Sequence, residues 1–308
     1  MNSLPRKLIR ILITGVSGFV GHNLINYLKK DYPSDALNRK ELQNISKDVI
    51  NNYNSIIHLA GKAHNLKKTS NPEEYYQVNF ELTKKLYDAF LDSNAKKFIF
   101  ISSVKAAADE VDQILTEDVE PEPKTDYGKS KLMAEQYIQS QTLPAGKSYY
   151  ILRPCMIHGP GNKGNLNLLY QVVKKGIPYP LAGFNNKRSF LSVENLCFVI
   201  KELISRDDIK SGIYNVADDE ALSTNEVVTI LSQSLNKKPR LWKISPRLIT
   251  FFAKVGDRLH LPLTTERLGK LTESYVVSNA KIKAAINKKL PVKTARGLQI
   301  TASSFSQV

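Results

Sequence analysis

The chain has little of what marks a secreted or membrane-spanning protein. Its two cysteines, Cys155 and Cys197, stand among 308 residues. They are too few for a disulfide framework and lack metal-ligand spacing, so each is expected to be an ordinary buried cysteine in a reducing cytoplasm, with no metal site. No apolar run reaches the length of a bilayer span, which argues against integral membrane association. The N-terminal MNSLPRKLIRILITG passes straight into a short apolar segment ending in Thr-Gly, so no cleaved leader is expected. No internal repeat or low-complexity tract is found, and collagen-like or coiled-coil architectures are excluded. Acidic residues are also scarce: 29 Asp and Glu against 44 Lys and Arg give a formal net charge of +15. A duplex-binding module would gather such charge into a block or stripe. Here it comes as scattered doublets, such as Lys29-Lys30, Lys84-Lys85 and Lys288-Lys289. No nucleic-acid partner is therefore expected, and the lysines read as solvated faces, with a few available for an anionic small substrate or weak contact with a membrane surface. What remains is ordinary globular composition, 42% hydrophobic and 24% charged, enough for one large or two modest domains.

Short apolar runs alternate with segments of helical period in the first half. Strands are expected at Leu8 to Thr14, Ser55 to Ala60, Lys97 to Ser103 and Tyr149 to Pro154. The clearest helix is NPEEYYQVNFELTKKLYDAFLD, where Asn71 can cap, Pro72 suits the first position and Val78, Leu82, Leu86 and Phe90 form an apolar stripe. This order implies an α/β protein with a parallel sheet and helices on both faces. After Gly161 the pattern changes to a helix over Leu166 to Lys175, a turn-rich GIPYPLAGFNNKR, a strand and helix in RSFLSVENLCFVIKELI, a strand in GIYNVAD, and mostly helix beyond about Ser223. We therefore expect a first domain over 1–163, with 186–217 returning to it, and a smaller, partly interleaved domain from 164–185 and 218–308. The cleft between them is the expected site.

Two motifs carry chemistry. Gly15, Gly18 and Gly21 in TGVSGFVG follow the first strand, where a tight turn needs residues without Cβ and the next helix, beginning near Phe19, aims its N–H groups at a pyrophosphate. In KTDYGKSKLMAE, Tyr127 and Lys131 lie four apart on one helix face, where the ammonium would lower the phenol's pKa and suit it to acid and base work. Alone, Tyr-x-x-x-Lys is more often a solvated helix face.

TGVSGFVG, IIHLAG, ISS, Tyr127-x-x-x-Lys131 and RPCMIHGPG occur in this order at suitable intervals, and RSFLSVENL and YNVADDEALSTNEV follow. The set resembles the extended short-chain dehydrogenase/reductases of the nucleotide-sugar epimerase, dehydratase and reductase kind, over most of the chain. The resemblance implies a Rossmann-type doubly wound sheet and a smaller C-terminal substrate domain. It implies Tyr127 as acid/base, Lys131 on the nicotinamide ribose, and Ser103 on the reacting oxygen. Gly15, Ser17, Gly18, Phe19, Val20, Gly21, Leu59, Ala60, Gly61 and Pro154 would line the cofactor, with Asn79 supporting the geometry. Arg188 would pair with the substrate diphosphate, a fork suited to paired oxygens. Lys105 and Asn165 would be further substrate contacts, although Asn165 reads equally as a helix cap. His64 and His158 would stand as walls near the cleft. Family members are commonly homodimers through paired helices.

Departures from the family narrow the reaction. Its dehydratases carry an Asp-Glu pair after the catalytic Ser or Thr, and its C3,C5-epimerising reductases a Cys; here Val104 and Lys105 follow Ser103. Two reactions on a UDP-sugar remain: a 4-epimerase with tightly held NAD, or a 4-ketoreductase with dissociable NADPH. The second strand is placed to end at Asn38, followed by Arg39 and Lys40 without an acid, which favours NADP(H) over NAD(H), because a carboxylate there binds a ribose 2′-hydroxyl and an Arg a 2′-phosphate. Asp35 would be the ribose ligand if the strand ended earlier. The stretch from Arg39 to Ser55 is too short for the usual third strand. SSVKAAADE resembles the branch that reduces UDP-4-keto-6-deoxy-N-acetylhexosamines for surface polysaccharide. A non-catalytic dinucleotide-binding scaffold on the same fold is the rival from another class.

Overall fold

The computed structural model describes residues 9–62, 71–162, 164–259 and 263–305. His64 lies outside them. The strands are β1 (Ile11–Thr14), β2 (Ser34–Leu37), β3 (Ser55–His58), β4 (Lys97–Ile101), β5 (Ser148–Pro154), β6 (Met156–His158), β7 (Phe190–Ser192) and β8 (Gly212–Val216). Among them run helices α1 (Phe19–Leu28), α2 (Arg39–Gln43), α3 (Lys47–Ile50), α4 (Pro72–Tyr75), α5 (Leu82–Leu91), α6 (Asp126–Ser140), α7 (Asn165–Lys174) and α8 (Val193–Ser205). The last part of the chain carries α9 (Thr224–Ser234), α10 (Pro246–Leu259), α11 (Thr265–Thr272), α12 (Ala280–Ile286) and α13 (Thr294–Phe305).

The main sheet is parallel in the order β2-β1-β3-β4-β5-β8, and β6 pairs with β7 in a small second sheet. Strand order reverses between β1 and β3, the switch point at which open α/β sheets bind ligands outside their carboxyl ends. The strands read as nearly unbroken apolar runs because both faces are covered. Ile11, Ile13, Ile57 and Ile99 pack with α1, α8 and α12 on one face. Leu12, Ile56, Phe98 and Phe100 pack with α5 and α6 on the other. Leu166 of α7, Leu231 of α9 and Leu298 of α13 form a separate core around Phe190 of β7.

Most expected elements are present, with differences that have physical reasons. β3 and β4 stop at His58 and Ile101, short of the expected Ala60 and Ser103, because the chain there leaves the ladder to form the site loops. IIHLAG, ISS and RPCMIHGPG stand at the ends of this chain's third, fourth and fifth strands, since only α2 and α3 occupy the stretch between β2 and β3, where no further strand is formed. The helix begun by Asn71 and Pro72 is interrupted by a π-helical turn over Tyr76–Glu81 before α5 continues. Gly164, not Asn165, is the N-cap of α7, and Asn165 is its first helical residue. The segment holding β8 returns to the main sheet, where Pro154 pairs with Val216.

Candidate active site

The glycine turn is built by close approach of three backbones. Gly15 has φ +73°, and a Cβ there would lie 2.6 Å from the Ala60 N; at Gly21 it would lie 2.4 Å from the Gly15 O. β1 and β3 are tied at this point: Leu59 N donates to the Thr14 O at 3.3 Å, and Ala60 N donates to Thr14 Oγ1 at 3.1 Å. Gly18 caps α1 without a side-chain bond, and Ser17 and Gly18 are exposed. Val20 and Phe19 are half-buried, and Phe19 packs against the loop of Gly159 and Gly161. Glycine thus supplies both the turn and an open backbone surface at a helix N-terminus, a cradle that fits the pyrophosphate of a dinucleotide.

Along the carboxyl edge, Gly61 continues this surface. A Cβ on Gly61 would meet Asn79 Oδ1 at 3.0 Å and Lys131 Nζ at 3.1 Å. Asn79 is fully buried on the π-helical turn, a feature common at functional sites. Its Oδ1 accepts from Lys62 N at 2.7 Å, and its Nδ2 donates to the Lys62 O at 3.2 Å and to Ser130 Oγ at 3.0 Å. Its amide is used to fix the Lys62 backbone and Ser130 beside Lys131. Lys131 is 4% exposed, donates to the Ile101 O at 2.9 Å and stands 4.7 Å above the Phe100 ring. Burial lowers its pKa to about 8, against the opposing pull of Glu135.

Ser103 begins the short turn over Val104–Ala106 and accepts from Lys105 N at 3.2 Å. It is hydrogen-bonded to the Tyr127 phenol. The first turn of α6 reaches it because residue 128 is glycine: a Cβ there would sit 2.4 Å from the Lys105 O. Thr125 caps α6, accepting from Gly128 N at 3.2 Å, and the Tyr75 ring meets Tyr127 edge-on at 6.2 Å. Burial raises the Tyr127 pKa, opposed by the Ser103 hydrogen bond. This direction is opposite to the one expected from Lys131, whose ammonium is directed to the Ile101 carbonyl. Ser103, Tyr127 and Lys131 can together hold a protonated phenol at a carbonyl or hydroxyl oxygen and a cation beside it.

Other expected contacts fall in different places. Lys105 Nζ donates to the Asp109 O at 2.6 Å and stands 4.4 Å from the centre of the Tyr275 ring, and burial lowers its pKa. Arg188 shares this wall through a backbone bridge to Tyr275, but its guanidinium is held by Glu273 Oε1 at 3.0 Å and by the Glu273 and Lys270 carbonyls. Asn165 is exposed at the start of α7. Arg39 is exposed at the start of α2, behind a capping box in which Asn38 accepts from Glu41 N and Asn38 N donates to Glu41 Oε2. β2 ends at Leu37, so Asn38 is the cap and not the last strand residue. Arg39 and Lys62 line one cavity of about 580 Å³. Asp35, within β2, is ion-paired with Arg10 at 2.8 Å. His158 is not a cleft wall: it is fully buried, with Nδ1 2.9 Å from Thr301 Oγ1 of α13. Pro154 ends β5, and burial pushes the neighbouring Cys155 thiol well up, which leaves it unsuited to proton transfer near neutral pH.

Two buried networks under the site escaped the sequence reading. Ser102 Oγ donates to Glu135 Oε1, and Arg153 Nε donates to both Glu135 oxygens at 3.0 Å; Arg153 is 1% exposed and Glu135 not at all. His58 lies between Thr14 Oγ1 at 2.7 Å and Thr83 Oγ1 at 2.9 Å. Thr83 gives its proton to the Asn79 O, so it must accept from His58 Nε2–H, which leaves Nδ1 to accept from Thr14. The available signals were a lone Arg and a lone His inside apolar strands, and a Glu one turn after Lys131.

A glycine turn at the switch point that fits a pyrophosphate, with a Ser-Tyr-Lys set beside it, is the arrangement of a dinucleotide-dependent α/β enzyme. Residues 11–217 match the model of the NAD dependent epimerase/dehydratase family. The chain belongs to that family. It is 30% identical to a UDP-glucose 4-epimerase of Vibrio cholerae, over 96% of this chain and 95% of the relative. It is 29% identical to the N-acetyl-alpha-D-glucosaminyl-diphospho-ditrans,octacis-undecaprenol 4-epimerase of Escherichia coli O157:H7, over 74% of this chain and 73% of that one. Among solved structures, MoeE5 in complex with UDP-glucuronic acid and NAD superposes with a TM-score of 0.75 at 19% identity, covering 97% of this chain and 99% of the other. RMD from Pseudomonas aeruginosa complexed with NADPH gives 0.74 at 21% identity, covering 97% of this chain and all of that one.

Proposed function

We propose that this protein reduces the C4 ketone of a UDP-linked 4-keto-6-deoxy-N-acetylhexosamine with NADPH, supplying a sugar for surface polysaccharide. The observation that carries the reading is the Ser103, Tyr127 and Lys131 set beside the glycine cradle, followed by Val104 and Lys105 and not by an acid pair or a cysteine. A dinucleotide held by the glycine cradle, Gly61 and Lys131 would supply the hydride for the sugar carbon. Tyr127, kept protonated by burial, gives its proton to the oxygen of that carbon; Ser103 holds the same oxygen and the phenol. Lys131 binds the ribose beside Gly61, and its ammonium stabilises the phenolate left at Tyr127 until a proton from solvent restores the phenol. Gly15, Gly18 and Gly21 leave the backbone open to the pyrophosphate, and Arg39 receives a 2′-phosphate in the cavity it shares with Lys62, whose ammonium is paired with Glu74. Lys105 and Arg188 face the substrate diphosphate, Arg188 leaving Glu273 to do so.

A second reading, a UDP-hexose or UDP-N-acetylhexosamine 4-epimerase with tightly bound NAD, is favoured by similarity to the Vibrio cholerae epimerase along nearly the whole chain. Denaturing the purified protein and identifying any released dinucleotide, then titrating the empty form with NADH and NADPH, separates the two. The reductase reading expects an empty protein that binds NADPH more tightly, with Arg39→Ala erasing roughly tenfold or more of the preference, and turnover of 4-keto sugar nucleotides that Tyr127→Phe abolishes while dinucleotide binding persists. Stoichiometric, non-exchanging NAD means the epimerase. Binding of neither dinucleotide would refute both.

A further inference from the structure

Helix α10 has two apolar sides. Ile249, Ala253 and Gly256 face inward, where Ile249 and Ala253 pack with Leu181 and with Leu268 of α11. On the other side Leu248, Phe251, Phe252 and Leu259 are 49%, 59%, 55% and 61% exposed, with half-buried Val255 between them. Their spacing of three, four, seven and eleven from Leu248 aligns them in one stripe along the helix. Arg247, Lys254 and Arg258 are exposed and, at 100° per residue, form a second stripe along one flank of the first. Residues 237–259 hold seven Lys and Arg against a single acid, Asp257, whose carboxylate is bonded to Thr265. The single tryptophan of the chain, Trp242, lies in the same segment and is 58% exposed.

A soluble surface seldom lines up two phenylalanines and two leucines in water without a partner. Charge chooses between occupants. A second copy would bring Arg247, Lys254 and Arg258 towards their own equivalents, a like-charge contact that opposes association. An anionic bilayer satisfies both stripes at once: the acyl boundary takes the phenyl and leucyl groups, and the headgroup phosphates take the guanidinium and ammonium groups. A 14-residue helix with these charges is too short and too polar to cross, and among the described residues no helix is long and apolar enough to do so. The helix also lies beyond residues 11–217, the part matched by the family model. We propose that α10 is an interfacial helix that seats this protein on an anionic phospholipid surface. The seating does not depend on which sugar reaction the site performs.

The test is flotation of the full-length protein with large unilamellar vesicles of phosphatidylcholine alone or mixed with phosphatidylglycerol, at low and at physiological salt. We expect co-flotation with the phosphatidylglycerol vesicles, weaker at the higher salt, and little with phosphatidylcholine alone. Phe251→Ser with Phe252→Ser should lower the partition coefficient by at least roughly tenfold, and Lys254→Glu with Arg258→Glu should lower it comparably. Because all four side chains are exposed, both double variants should melt at the wild-type temperature, which keeps loss of binding distinct from loss of fold. Absence of co-flotation, or a partition coefficient unmoved by the phenylalanine substitutions, overturns the proposal. So does a protein that ignores vesicles and self-associates through these phenylalanines, as read by light scattering of wild type against Phe251→Ser/Phe252→Ser.

Discussion

His58 makes the stability of the site acid-sensitive in a way that can be worked from the structure. It has no exposed surface, its Nδ1 accepts from Thr14 and its Nε2–H donates to Thr83. Burial, with a smaller contribution from the Lys131 ammonium, holds its pKa at about 3. In the unfolded chain a histidine titrates near ~6.5. Between these values the unfolded state binds a proton that the folded state excludes, so stability rises with pH across the window. The contribution is fully present above ~6.5 and is lost as pH falls towards 3. From pH 7 to pH 4 the two values give a loss of about 3 kcal/mol, a large share of the roughly 5–15 kcal/mol that holds a domain folded. Carboxylates also titrate there, so the quantity to measure is a difference. Urea unfolding of wild type and of His58→Leu should be followed from pH 7 to pH 4. The variant is less stable at pH 7, because Thr14 and Thr83 lose their shared partner at a cost of about 1–3 kcal/mol. Its stability should nevertheless fall less with acid, by about 3 kcal/mol over the range. Parallel curves would refute the reasoning, because they would mean that His58 takes its proton equally well in both states.

Two further substitutions test the chemistry. Lys131, with a pKa of about 8, is mostly charged at neutral pH, so kcat/KM should decline on a basic limb near that value. Lys131→Arg keeps a cation charged across this range and should remove the limb from whatever rate remains; a limb that persists would separate it from Lys131. Gly128→Ala puts a methyl group where Lys105 O stands 2.4 Å and Pro123 Cβ 2.8 Å away, so the first turn of α6 must back off from Ser103. We expect kcat to fall at least roughly tenfold with dinucleotide affinity near wild type, and unchanged turnover would show that the α6 approach does not set the Ser103–Tyr127 geometry.

The parts of the fold legible in the sequence are those governed by local rules. Alternation of apolar runs with helical periods marked the strands, because a sheet covered on both faces leaves few polar positions within them. The glycine triplet marked the cradle because β1, β3 and α1 crowd at Gly15 and Gly21, leaving no room for a side chain. What local rules left open is the cofactor. Asn38, Arg39 and Glu41 form a capping box that would be there whatever dinucleotide binds, so the same residues serve helix α2 and the question of the 2′-phosphate. The π-helical turn at Asn79 was also illegible, since its apolar stripe reads as a plain helix; the insertion shows only when Asn79 is seen gripping the Lys62 main chain and Ser130.

The buried charges show why the supporting layer of a site is harder to read than the site itself. Glu135 sits one turn beyond Lys131 and, by spacing alone, is one more charged residue on a helix with several. Arg153 looks like an interruption in an apolar strand. Each becomes intelligible only when β5 and α6 are brought together, because an isolated charge at either position would cost more than a small protein can bear, and a pair with a Ser102 hydroxyl on the spare oxygen does not. That pair ties β4, β5 and α6 together directly beneath Ser103 and Lys131. The side chains proposed for catalysis could be named from the ordered motifs because the chemistry those motifs imply dictates their type, but what holds them still is dictated by long-range geometry, and a replacement there need only satisfy its neighbours.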